Sequence, residues 1–100
     1  MSASEDKIKA VLEGELGYTK QQFDAVVEDL KDLSPELKSL FERWIENRED
    51  KGDFEAHGFS VSGLMEKFKM NFVAAILTMD WIVKEPDGAV KAIKASFLVK

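Results

Sequence analysis

Apolar residues recur at spacings of three and four along most of this chain, and this pattern predicts helices. The spacing is densest from Ser62 to Glu85, so this stretch is interpreted as a long central helix. Shorter helical segments precede and follow it. The pattern predicts an all-α fold, a compact bundle of four to five helices around the central helix of about residues 62–85. At 100 residues, the whole chain (1–100) is expected to be a single helical domain.

The central stretch carries two apolar stripes when it is drawn as one helix. The wider stripe covers about 120° of the helix surface and contains no polar residue. The second stripe lies on another side, and its members are Met70, Ala74, Leu77 and Trp81. A surface helix needs only one apolar stripe, so the second predicts a contact with another helix or another chain. These four residues are the candidate partner-binding site, for a homodimer or for another protein. The alternative left open is that the short N-terminal helix or the C-terminal segment covers the stripe within one chain.

A helix-turn-helix over residues 60–85 is an alternative interpretation of the same stretch. Ser60 then caps the first helix, Met70 lies in the turn, and Asn71 caps the second helix. The spacing is similar to that of helix-turn-helix regulators, but a glycine is common where Lys69 or Met70 stands. A recognition helix also presents polar or basic side chains near its start, and Phe72-Val73-Ala74 offers none.

Local signals predict where the other helices begin and end. Thr19 with Gln22 matches a capping box, and Ser34-Pro35 matches an N-cap followed by proline in the first helical position. Glu85 to Gly88 is expected to end the central helix with a turn. Residues 89–100 suit a helix or a strand, and we favour a helix because of their alanines.

Residues 49–58 show no apolar period and contain two glycines, so they are expected to form a mobile loop that proteases cut. Asp53, Glu55 and His57 alternate there, and in an extended strand their side chains would share one side. Carboxylate and imidazole ligands suit a divalent metal, but no second motif supports a site. We therefore expect a solvated loop, with no metal and no cofactor.

Composition narrows the function further. The chain has no cysteine, so thiolate catalysis and zinc–thiolate sites are excluded. No phosphate-binding glycine loop is present, and the single histidine has no evident catalytic partners, so no catalytic residue is assigned and no enzyme is expected. The start of the sequence lacks the apolar core of a signal peptide, and no stretch is long enough to cross a bilayer; a cytoplasmic protein without a membrane partner is expected.

Charge distinguishes between the two functional classes that remain, a protein–protein contact domain and a regulator that binds nucleic acid. Residues 1–57 contain fifteen acidic residues against eight lysines and arginines, and the net charge of the chain is −5. An acidic surface repels nucleic acid and attracts basic partners. We therefore expect no nucleic-acid binding and favour a small, acidic, non-catalytic domain that mediates protein–protein contact, as a homodimer or an adaptor. The alternative is a helix-turn-helix regulator that binds nucleic acid.

Overall fold

The computed structural model describes the backbone of residues 5–50 and 52–99, with side chains described up to residue 95. The protein is all-α, as predicted: six α-helices pack with only a two-stranded sheet among these residues. Contacts divide the chain into two compact units, Met1–Gly52 and Asp53–Lys100. None of the helices within the described ranges has the length and apolar character needed to span a membrane.

The first unit contains three α-helices and a π-helical segment. Helix α1 (Glu5–Lys9) runs directly into the π-helical segment Ala10–Glu15, and Gly17 follows two residues later with a φ of +74°. Helices α2 (Lys20–Leu30) and α3 (Pro35–Glu46) follow. The capping box at Thr19 is confirmed: its Oγ1 accepts from the Gln22 N–H at 3.1 Å, and its N–H donates to Gln22 Oε1 at 2.9 Å. Ser34 occupies the N-cap position of α3 and Pro35 the first helical position, as expected, but the Ser34 side chain makes no capping hydrogen bond to the helix.

Apolar side chains from the π-helical segment, α2, α3 and the α2–α3 connection are buried in the first unit. Ion pairs join its two ends: Lys7 to Glu46 at 2.6 Å and Arg48 to Glu15 at 3.2 Å. Arg48 also donates to the main-chain carbonyls of Trp44 and Ile45, which are among the last carbonyls of α3. The buried apolar residues are Val11, Leu12, Phe23, Leu30, Leu33, Leu37, Leu40, Phe41, Trp44 and Ile45.

The second unit is a short hairpin followed by three helices. Strands β1 (Glu55–Ala56) and β2 (Phe59–Ser60) pair antiparallel, with Glu55 opposite Ser60. Helices α4 (Val61–Phe68), α5 (Phe72–Lys84) and α6 (Pro86–Val99) follow. The hairpin contacts α4 and α5, and α5 packs against both of the other helices. Helix α5 is therefore the central element of this unit.

The prediction of one helix over residues 62–85 is wrong, and the helix-turn-helix shape is what forms. Lys69 ends α4 in the left-handed conformation, with a φ of +60° and a ψ of +31°, which stops helical hydrogen bonding. Asn71 then starts α5, because its side chain accepts from the Ala74 N–H at 2.8 Å. Ser60 caps α4 in the same way, accepting from the Gly63 N–H at 3.0 Å.

The prediction that residues 49–58 form a loop is wrong in its second half. His57 and Gly58 have φ values of +53° and +83°, and positive φ at both central residues is what a two-residue hairpin turn of the I′ kind requires. This turn brings β1 and β2 together. Each strand has only two residues, which is too short for the alternation that identifies strands in a sequence. The expected mobility and protease sensitivity of the segment stay predictions.

The C-terminal segment is a helix, as predicted, but it starts earlier than expected. Pro86 occupies the first helical position of α6, and Gly88 lies inside the helix. The Glu85 N–H donates to the Trp81 carbonyl at 2.8 Å, while the Glu85 carbonyl accepts from the Ala89 N–H at 2.9 Å. A single residue thus ends α5 and begins α6.

Candidate protein-contact face

Helix α5 buries most of one side within the described structure. The side chains of Ala75, Ile76, Met79 and Ile82 have no exposed surface, and Phe72 is 2% exposed. These residues belong to the wider apolar stripe that the sequence predicts. Because these residues are buried, they are not available for contact with another protein. The second stripe, on another side of α5, is the apolar surface that could make such a contact.

The second stripe is only partly covered. Met70, Ala74 and Leu77 are half-buried, and Trp81 is 41% exposed. Among the described residues, Trp81 is the one large apolar side chain that is exposed. We name the set of Met70, Ala74, Leu77 and Trp81 the α5 face. Ala74, Leu77 and Trp81 lie on α5, whereas Met70 lies in the turn that precedes it.

Side-chain hydrogen bonds hold both ends of the α5 face. The Trp81 indole Nε1 donates to Glu85 Oε1 at 3.1 Å, one turn further along the chain. Thr78 Oγ1 donates to the Ala74 carbonyl at 2.8 Å and lies 3.6 Å from Met70 Sδ. The contact with Thr78 places the thioether of Met70 beside α5, so the turn residue extends the apolar surface of the helix.

A charged pair borders the α5 face. Asp80 is buried, and its Oδ2 lies 2.8 Å from Lys84 Nζ, whose side chain is 45% exposed. Both residues are on α5, at i and i+4, where opposite charges support a helix. Because the lysine neutralises the carboxylate, the border of the face carries little net charge.

The helix-turn-helix shape does not present a DNA-reading surface. The first residues of α5 are those that would meet base edges in a recognition helix. Phe72 is 2% exposed and Val73 is 1% exposed, so neither can reach into a groove of DNA. Lys84, in the last turn, is the sole basic residue of α5. This geometry disfavours nucleic-acid recognition by α5.

The Asp53, Glu55 and His57 set does not form a common site. The extended backbone ends at Ala56, because His57 lies in the left-handed turn. Within the described ranges, no group of three or more histidine or acidic residues is arranged to hold a metal ion. Asp53 has another role, since its Oδ1 accepts from the N–H groups of Phe54 at 2.9 Å and Ser62 at 3.1 Å.

Asp53 helps to cap α4 from outside the helix. Its Oδ2 accepts from Ser62 Oγ at 2.7 Å, in addition to the bonds made by Oδ1. Partial burial raises the pKa of Asp53, but the hydrogen bonds from the side chain and backbone of Ser62, and from Phe54, outweigh that effect and hold the pKa below its ordinary value. This role was not predicted from the sequence, because Ser62 lies nine positions after Asp53 and no local motif links them.

Comparisons with known proteins add no assignment. No protein-family model matches the chain, and no match is found among curated proteins or solved structures. The function of the chain is therefore inferred from its own residues and their geometry.

Proposed function

We propose that this chain is a non-catalytic protein-contact domain that self-associates through the α5 face. The observation that carries the proposal is the 41% exposure of Trp81 beside the half-buried Leu77 and Ala74. Tryptophan contributes a large area on burial and is enriched among residues that dominate binding energy. A cytoplasmic setting is part of the proposal, and the lack of cysteine is compatible with a reducing compartment.

The spacing of the α5 face suits a second copy of the same chain. The intervals from Met70 to Trp81 are four, three and four residues, and they read the same from either end. A two-fold axis relates the same patch on both copies, so such a pattern is self-complementary when two α5 helices pack antiparallel. Ala74 of one copy then lies opposite Leu77 of the other, and Met70 lies opposite Trp81.

This pairing places a small side chain opposite a larger one at its centre. The alanine lets the two helix backbones approach, and the leucine fills the space beside it. The face covers only about three helical turns. Its area is therefore smaller than the roughly 800 Å² that each partner buries in a standard interface. We therefore expect a weak, reversible dimer with a Kd of roughly 1–100 μM.

Sedimentation velocity over a concentration series that brackets this Kd tests the proposal. The wild type should shift from monomer to dimer, while Trp81→Glu should remain a folded monomer because it places a charge at the contact. Gln21→Glu is the matched control: it adds the same charge at an exposed position of α2 and should dimerise like the wild type.

Tryptophan fluorescence gives a second readout of the same contact. The chain has two tryptophans, and Trp44 is only 3% exposed, so acrylamide should quench mainly Trp81. Quenching should decrease as the protein concentration rises through the dimer range. A wild type that stays monomeric at every concentration, or a Trp81→Glu variant that dimerises normally, would exclude the proposed interface.

A further inference from the structure

A groove of about 230 Å³ lies between the hairpin, α4 and α6 in the second unit. It is separate from the α5 face and shares no residue with it. Phe59 comes from β2, Leu64 and Phe68 from α4, and Ile93 from α6, and together these side chains give the groove an apolar lining. The volume is below the roughly 300–1,000 Å³ of sites for drug-sized ligands, so a complementary ligand is small.

Two lysines give the groove a positive charge. Lys67 of α4 and Lys94 of α6 contribute to its wall, and both residues are exposed. No acidic residue is among the described residues that line it, and neither lysine forms an ion pair with another described residue. Four other lysines of the described residues do pair with an acid; one of them is Lys84, which lies 2.8 Å from Asp80. The groove therefore combines apolar walls with cationic groups for which the described part of the chain supplies no counter-ion.

We propose that this groove binds a small apolar carboxylate, with its hydrocarbon part against the phenylalanines and its carboxylate beside the two lysines. The apolar walls favour the hydrocarbon by removing it from water. The ammonium groups favour the anion and discriminate against a neutral molecule of the same shape. A ligand with a short hydrocarbon chain matches the volume of the groove. The proposed ligand is a free small molecule.

Octanoate is the probe, because it has about ten non-hydrogen atoms and one carboxylate; for a ligand of this size we expect a Kd of roughly 0.1–1 mM. Titration into the ¹⁵N-labelled full chain should give saturable shifts of the amide resonances of Gly58, Gly63 and Ile93, which line the groove. The neutral analogue 1-octanol should bind at least about five-fold more weakly, because it lacks the charge.

Charge reversal tests the role of the lysines. Lys67→Glu and Lys94→Glu should each weaken octanoate binding by about ten-fold or more, because an acid then faces the carboxylate. Lys38→Glu is the matched control, since it makes the same change at an exposed residue of α3 that does not line this groove. It should bind octanoate within about two-fold of the wild type.

The comparison of octanoate with octanol uses the wild type alone, so it tests the proposed carboxylate binding even if a variant fails to fold. Octanol binding as tightly as octanoate would overturn the proposal, as would shifts that do not saturate or that map to the first unit. An equal loss of binding in Lys38→Glu would also contradict it, because the effect would then follow net charge and not the groove.

Discussion

At the scale of single residues, Asp53 shows how one side chain organises a segment that looks irregular in sequence. Its two carboxylate oxygens accept three hydrogen bonds, which connect the start of the hairpin to the first turn of α4. A carboxylate near a helix N-terminus also interacts favourably with the helix dipole. The segment that precedes α4 is thus held by polar contacts where the sequence offers few apolar ones.

The lowered pKa of Asp53 predicts a pH-dependent contribution to stability. A carboxylate whose folded pKa is depressed stabilises the protein above its unfolded pKa of 3.8, and that contribution is lost as the pH falls through the folded pKa. Asp53→Asn should lower the free energy of unfolding at pH 7 by about 0.5–1 kcal/mol; the estimate is small because the residue is exposed and water screens its charge.

Urea unfolding at several pH values between about 2.5 and 7 measures this effect, and the difference between wild type and Asp53→Asn should shrink toward the lowest pH. Glu55→Gln is the control, because it removes a nearby exposed carboxylate for which no hydrogen bond to another described residue is recorded. A constant difference across the pH range would show that the charge of Asp53 has no part in it.

At the scale of elements, the turn between α4 and α5 depends on a residue in an unfavourable conformation. A left-handed lysine costs about 1–2 kcal/mol relative to a right-handed one, whereas glycine adopts this conformation freely. Lys69→Gly should therefore raise the free energy of unfolding by about 0.5 kcal/mol after allowance for the greater freedom of glycine in the unfolded chain.

Glu66→Gly gives the opposite expectation within the same helix. Glu66 is exposed and lies inside α4, where glycine costs about 1 kcal/mol relative to a good helix former. Thermal unfolding of both variants, followed by circular dichroism, compares the two positions directly. If Lys69→Gly destabilises the protein as much as Glu66→Gly, residue 69 is helical and the two-helix description fails.

The sequence predicts elements well where the signal is local and poorly where it is not. Thr19 with Gln22, and Ser34 with Pro35, mark helix starts through bonds and sterics within a few residues, and both predictions are confirmed. The break at Lys69 is predicted only by the alternative helix-turn-helix interpretation, because a lysine carries no signal for the left-handed region. Apolar residues continue on both sides of that break at spacings that also suit a single helix.

The candidate site shows the same division. The helical spacing predicts Met70, Ala74, Leu77 and Trp81 as one face; three of these residues lie on α5, and Met70 lies in the turn before it. How much of that face is covered depends on the packing of α4 and α6 around α5, which sequence spacing does not contain. The groove was not predicted either, because Lys67 and Lys94 lie on two helices that are distant in the sequence, and only the fold brings them to one groove.

At the scale of the whole molecule, charge and burial together predict very weak binding to DNA. The net charge is −5, and the residues that begin α5 are buried. A protein that binds duplex DNA gains much of its affinity from neutralising phosphates, and this chain offers few lysines on any one face. We expect no submicromolar binding to random duplex near physiological salt.

A gel-shift series at low and moderate salt measures this directly. Any binding seen at low salt should be weak, because it would come from scattered lysines. Submicromolar affinity with a steep decrease as salt rises would contradict the expectation, and it would favour the helix-turn-helix regulator over the contact domain.

The junction at Glu85 has a consequence for how the second unit can move. A hinge needs a residue whose backbone angles can change without breaking hydrogen bonds. Glu85 lacks that freedom, because its N–H closes α5, its carbonyl opens α6, and the proline that follows restricts its conformation. Any opening of the groove should therefore pivot at Lys69–Met70, so that α4 swings while α5 and α6 move as one rigid piece.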